Sequence, residues 1–67
     1  MDPRVEQYLE PHRQEAFLRK RVAWVHFDFF VGDGMTRTET YFISERGESR
    51  RASHDAKGGL PRYRINE

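Results

Sequence analysis

Ser53-His54-Asp55 holds the side-chain types of a nucleophilic triad in one consecutive run. Consecutive side chains diverge, and a triad needs each member within hydrogen-bond reach of the next, so the run does not read as a nucleophile with its base. His12, His26 and His54 lack paired metal-ligand spacing, and no cysteine is present to complete a structural zinc site. Gly32-Asp33-Gly34 lacks the alternating carboxylates of a calcium loop and the lysine of a phosphate-binding loop, so it reads as a turn. No metal and no cofactor are expected. One acid–base pair carries a catalytic idea, His26 with Glu39. A histidine beside a carboxylate can tune a proton donor, and Arg37, Arg50 or Arg51 would hold a phosphate, which together describe a small ribonuclease. The simpler reading is a half-exposed strand histidine satisfied by a carboxylate. A non-enzymatic protein is therefore expected.

Binding chemistry is better represented. Nine aromatic residues and ten arginines stand in 67 positions. Trp24, His26, Phe30 and Tyr41 are expected on one face of a sheet, with Arg37, Arg50 and Arg51 near it. These seven residues are the candidate partner-binding set. Aromatic and arginine side chains anchor protein interfaces, and the same pair of types holds single-stranded nucleic acid by stacking and phosphate contact. Protein–protein contact is the leading reading, either with a second copy in a homodimer or with another protein. Single-stranded nucleic-acid binding is the alternative. Against it, twelve basic residues nearly balance eleven acidic ones, giving a formal charge of +1. No RNP-like, KH-like or zinc-finger pattern occurs. No small-molecule substrate suggests itself.

Length and composition narrow the field further. The chain is short enough for one small domain over 1–67 and too short for the common catalytic barrels and doubly wound sheets. Its apolar runs span only a few residues, so no membrane segment and no secretory signal are expected, and a soluble cytoplasmic protein is the default. Size and the missing catalytic set suit a small regulator or inhibitor of the sort phages and mobile elements encode. Arg50-Arg51-Ala52-Ser53 resembles a basophilic kinase substrate, and Lys57-Gly58-Gly59 a modifier tail; the first is short enough to arise by chance and the second is internal.

The elements that must position these residues follow from periodicity. Residues 1–21 read as helical. Asp2 suits an N-cap and Pro3 the first helical position, and Val5, Tyr8, Leu9, His12, Ala16 and Phe17 form one face. Pro11 removes a backbone donor and disfavours helix at Glu10, which predicts a kinked helix or two short ones. Residues 22–44 read as a β-hairpin about Gly32-Asp33-Gly34, with Ala23, Val25, Phe27, Phe29 and Val31 toward the core. Two registers compete. A Gly32-Asp33 loop sets His26 opposite Glu39 and Trp24 opposite Tyr41; an Asp33-Gly34 loop sets Asp28 against Glu39. The first pairs charges better and is preferred. Residues 45–67 read as irregular, with a short strand or helix between Ser49 and Lys57, leaning to helix. Leu60 to Ile65 alternates as a terminal edge strand or a mobile tail. The expected class is α+β: a kinked N-terminal helix packed on an antiparallel hairpin or small three-stranded sheet.

Overall fold

A computed structural model describes residues 2–52 and 61–67. Among these residues five elements follow one another: α1 (Pro3–Arg19), β1 (Ala23–Phe30), β2 (Thr36–Ile43), β3 (Ser49–Arg51) and β4 (Arg62–Asn66). The class is α+β, with one helix against a four-stranded mixed sheet of order β3-β2-β1-β4.

Helix α1 starts where its chemistry requires. The Asp2 carboxylate accepts the Arg4 backbone N–H at 2.9 Å, and Pro3 occupies the first turn. The helix runs through Pro11 as one element, so the expected pair of short helices does not form. An interior proline costs about 3 kcal/mol. Val5 and Leu9 before it and Ala16 after it are all buried on the sheet, and that shared burial favours one continuous helix. The helix ends at Lys20, which takes the left-handed conformation (φ 54°). The Lys20 and Arg21 N–H groups both reach the Ala16 carbonyl, the Arg21 bond at 3.1 Å, which closes the last turn.

The hairpin adopts neither expected register. Trp24 lies opposite Phe42, His26 opposite Thr40, Asp28 opposite Thr38 and Phe30 opposite Thr36. The cause is the loop. Gly32, Asp33 and Gly34 all have positive φ (89°, 51° and 73°), and Met35 N–H bonds the Gly32 carbonyl at 3.0 Å. Two glycines flanking an aspartate can populate three such conformations in succession. A three-residue loop shifts the pairing by one, and with a side-chain period of two this exchanges the faces of β2. Tyr41, expected on the outer face, is buried in the core together with Ile43, and Phe42 stands beside Trp24 instead.

The core lies between α1 and the odd-numbered face of the sheet. It unites Val5, Leu9 and Ala16 with Val25, Phe27, Phe29, Tyr41, Ile43 and Ile65. Aromatic contacts knit it together. Tyr8 stacks on Tyr63 at 4.5 Å, and Phe27 meets Tyr41 edge-on at 5.5 Å. Beyond the hairpin, Ser49–Arg51 is strand rather than the helix expected; from residue 53 on, that stretch, with Ser53-His54-Asp55 and Lys57-Gly58-Gly59, lies outside the described residues. Strand β4 joins the other edge parallel to β1, with Ile65 beside Phe29 and Tyr63 beside Phe27.

Candidate interaction face

The even-numbered residues of β1, β2 and β4 point away from α1, because the pleat alternates sides. They form three zones along the strands. At the start of β1, the Trp24 and Phe42 rings pack edge to face with centroids 5.0 Å apart, and the Arg50 guanidinium lies 5.3 Å from the Phe42 centroid. In the middle, His26 and Thr40 are only 2 % and 3 % exposed and share a hydrogen bond of 2.9 Å through the imidazole Nδ1. Toward the hairpin loop, the Arg64 guanidinium covers the Phe30 ring at 3.8 Å.

Asp28 is the one carboxylate on this face among the described residues. It accepts hydrogen bonds from Thr38 at 2.7 Å and from Arg62 at 2.6 Å. Burial alone raises its pKa, but the hydrogen bonds from Arg62 and Thr38 outweigh it and hold the carboxyl below its ordinary value.

The structure brings together four of the seven sequence-derived candidates on this side: Trp24, His26, Phe30 and Arg50. Arg37, Tyr41 and Arg51 belong to the opposite, helix-covered side. Tyr41 donates its hydroxyl to Glu39 at 3.0 Å, and burial followed by that contact pushes its pKa up to about 12. Arg37 lies over the Phe29 ring at 4.4 Å and pairs with Glu39, while Arg51 is 3.9 Å from Glu39. The changed parity of β2 carries all three across. It also separates His26 from Glu39. The imidazole bonds Thr40 on one face and the carboxylate bonds Tyr41 and Arg37 on the other, so this pair cannot act as joined acid and base. Phe42 is the residue that sequence reasoning missed. The glycines on both sides of Asp33 carried the signal, since they permit the longer loop that turns Phe42 outward.

Beside Trp24 the surface is concave. A cleft of about 330 Å³ opens between the end of α1 and the start of β1. Ala16, Val22, Ala23, Trp24 and Pro61 supply its apolar lining, and Glu15, Arg19 and Arg21 its charged rim. Phe17, Leu18, Lys20, Glu45 and Arg46 line a second, more open depression of about 520 Å³. Among the described residues, no group of three histidine, cysteine, aspartate or glutamate side chains could hold a metal, and no helix is long and apolar enough to cross a membrane. No protein-family model, curated protein or solved structure matches this chain.

Proposed function

We propose that the protein is a small non-enzymatic binding module that acts by protein–protein contact, with Trp24 as its anchor. The observation that carries the reading is the partly exposed Trp24–Phe42 pair, whose tryptophan also lines an apolar cleft bordered by charges of both signs. An apolar centre within a polar rim is the anatomy of a protein interface. Rigid aromatic anchors beside arginine are its usual energetic centre. A photoreactive amino acid substituted for Phe42, irradiated in cells, tests this. A discrete protein adduct that disappears in a Trp24→Ala background is expected. Adducts to nucleic acid alone, or none at all, overturn it.

A second reading, single-stranded nucleic acid, has one observation in its favour. Arg50, Arg62 and Arg64 share the helix-free face with three aromatic rings, and its lone described carboxylate is already engaged by Arg62. The buried His26–Thr40 centre interrupts the stacking platform that such binding uses. Light-scattering mass on a sizing column, with and without a short oligonucleotide at low salt, separates the two readings. A nucleic-acid complex would lose affinity steeply as salt rises.

A further inference from the structure

We infer that the partner meets this end of the molecule with an acidic segment bearing apolar side chains, received where α1 ends and β1 begins. The inference rests on the protein-contact reading and adds the chemistry of the partner.

Charge is the first argument. Residues 15–24 and 44–50 hold five cations and three carboxylates, while the rest of the chain holds seven and eight. Among the described residues, Lys20, Arg21 and Arg46 have no carboxylate partner, and Arg19 reaches only Glu15, at 3.4 Å. The Ala16 carbonyl at the helix end is already taken by Lys20 and Arg21 N–H groups, so what this end offers a partner is cationic side chains.

Apolar exposure is the second. Phe17, Leu18 and Val22 are 61 %, 77 % and 54 % exposed, large values for such residues crowded into six positions. They divide between two hollows, Val22 lining one with Trp24 and Phe17 and Leu18 lining the other. A partner that fills both must carry apolar groups, and one that pairs the cations must carry carboxylates. Nucleic acid offers base faces and thymine methyls but no flexible aliphatic side chains to fill hollows at Leu18 and Val22, and its phosphates would meet Glu15 and Glu45. A flat anionic membrane would press Glu15 and Glu45 against its own charge and would leave the hollows empty.

The test uses the full chain and short fluorescent probe peptides. One alternates Glu and Leu, a second Glu and Ser, and a third Lys and Leu; oligo-dT and phosphatidylserine vesicles complete the set. Binding of the Glu/Leu peptide with a blue shift of Trp24 emission is expected, with the Glu/Ser and Lys/Leu peptides far weaker. Arg21→Glu and Arg46→Glu should each weaken the Glu/Leu peptide by about tenfold, because like charges oppose it. Gln7→Glu, in the first half of α1 and away from the candidate face, should leave it unchanged. All three positions are exposed, and circular dichroism checks that each variant stays folded. Equal binding of the Lys/Leu peptide, tighter binding of vesicles or oligo-dT, or no binding of the Glu/Leu peptide overturns the inference. If Phe42 crosslinks a protein while the Glu/Leu peptide fails, the partner chemistry is wrong and the protein-contact reading stands. If both fail, both fall.

Discussion

The two ends of the sheet handle charge in opposite ways. Near the hairpin loop, Asp2, Arg4, Glu67, Arg37, Glu39 and Arg51 form one unbroken chain of ion pairs. Arg4 and Arg37 also lie over the Phe29 ring, and Arg64 over Phe30. Near the end of α1, Lys20, Arg21 and Arg46 lack carboxylate partners among the described residues, and exposed Phe17, Leu18 and Val22 stand among them. Exposed ion pairs contribute only about 0–1 kcal/mol each, so the paired end is not mainly a source of stability. Among the described residues at that end, Arg64 alone of the arginines lacks a carboxylate partner, and it lies over the Phe30 ring. The unpaired end keeps both its cations and its apolar side chains available. A working surface is better sought there.

The largest test of this contrast is truncation of one aromatic at each end. Phe29 is buried at the paired end, capped by two guanidinium groups, and Phe29→Ala should cost about 3–5 kcal/mol in urea unfolding. Trp24→Ala removes a half-exposed ring with one strong aromatic contact and should cost only about 1–2 kcal/mol, yet abolish partner crosslinking. Equal stability losses at the two positions would erase the distinction.

Backbone geometry at the unpaired end gives the next effect. Gly47 sits in the β2–β3 turn at φ +79°, and a Cβ there would stand 3.1 Å from the Arg13 carbonyl oxygen and 3.4 Å from the Phe17 Cβ. Gly47→Ala therefore combines left-handed strain with a close backbone approach and should cost about 2 kcal/mol. If this turn presents Arg46 beside Phe17 as described, the variant should also disturb peptide binding at that hollow. An unchanged unfolding midpoint would mean that the turn yields without cost.

The paired end should reveal itself in acid. Hydrogen bonds from Arg4 hold the Asp2 carboxyl at about 2, below its ordinary 3.8, and Asp28 is also held low by the net effect of Arg62 and Thr38 over burial. A depressed pKa favours the folded state above the ordinary value, and that contribution is lost as pH falls through the folded value. Stability should thus decline from about pH 3.8 toward about 2. Asp28→Asn should flatten the profile, and salt should shrink the part due to exposed Asp2. Arg21→Gln and Arg46→Gln, which remove charge at the other end without adding a carboxyl, should leave the profile in place.

Much of this arrangement was legible in the residues, and the exceptions have physical causes. Asp2 and Pro3 mark the helix start, and Ala23 to Phe29 alternate cleanly toward the core, because caps and period-two patterning act locally. Pro11 signals a break, but no local rule reports the burial of Val5, Leu9 and Ala16 on one sheet. The Gly32-Asp33-Gly34 loop is compatible with two or three loop residues, and only the packing of Tyr41 and Ile43 beneath α1 decides. That single choice exchanges Tyr41 for Phe42 at the candidate face and parts His26 from Glu39. Strand β3 is three residues of serine and arginine, too short and polar to announce itself. The candidate face was therefore readable at Trp24, His26 and Phe30 on the well-patterned β1, and unreadable wherever register or the polar β3 decided.

The smallest effect bears most directly on why the unpaired end looks as it does. Lys20 occupies a left-handed position where glycine avoids a strain of about 1 kcal/mol. Lys20→Gly should raise stability by about that amount, since its N–H still reaches Ala16 and the helix closes as before. A lysine kept in place of the better cap is consistent with a side chain retained for use, because sites that bind often hold local strain. The variant should then be more stable and bind the Glu/Leu peptide more weakly. Stabilisation with undiminished binding would make Lys20 a bystander and move the receptive charge to Arg21 and Arg46. Destabilisation would mean that its alkyl stem packs where the backbone argument assigns it nothing.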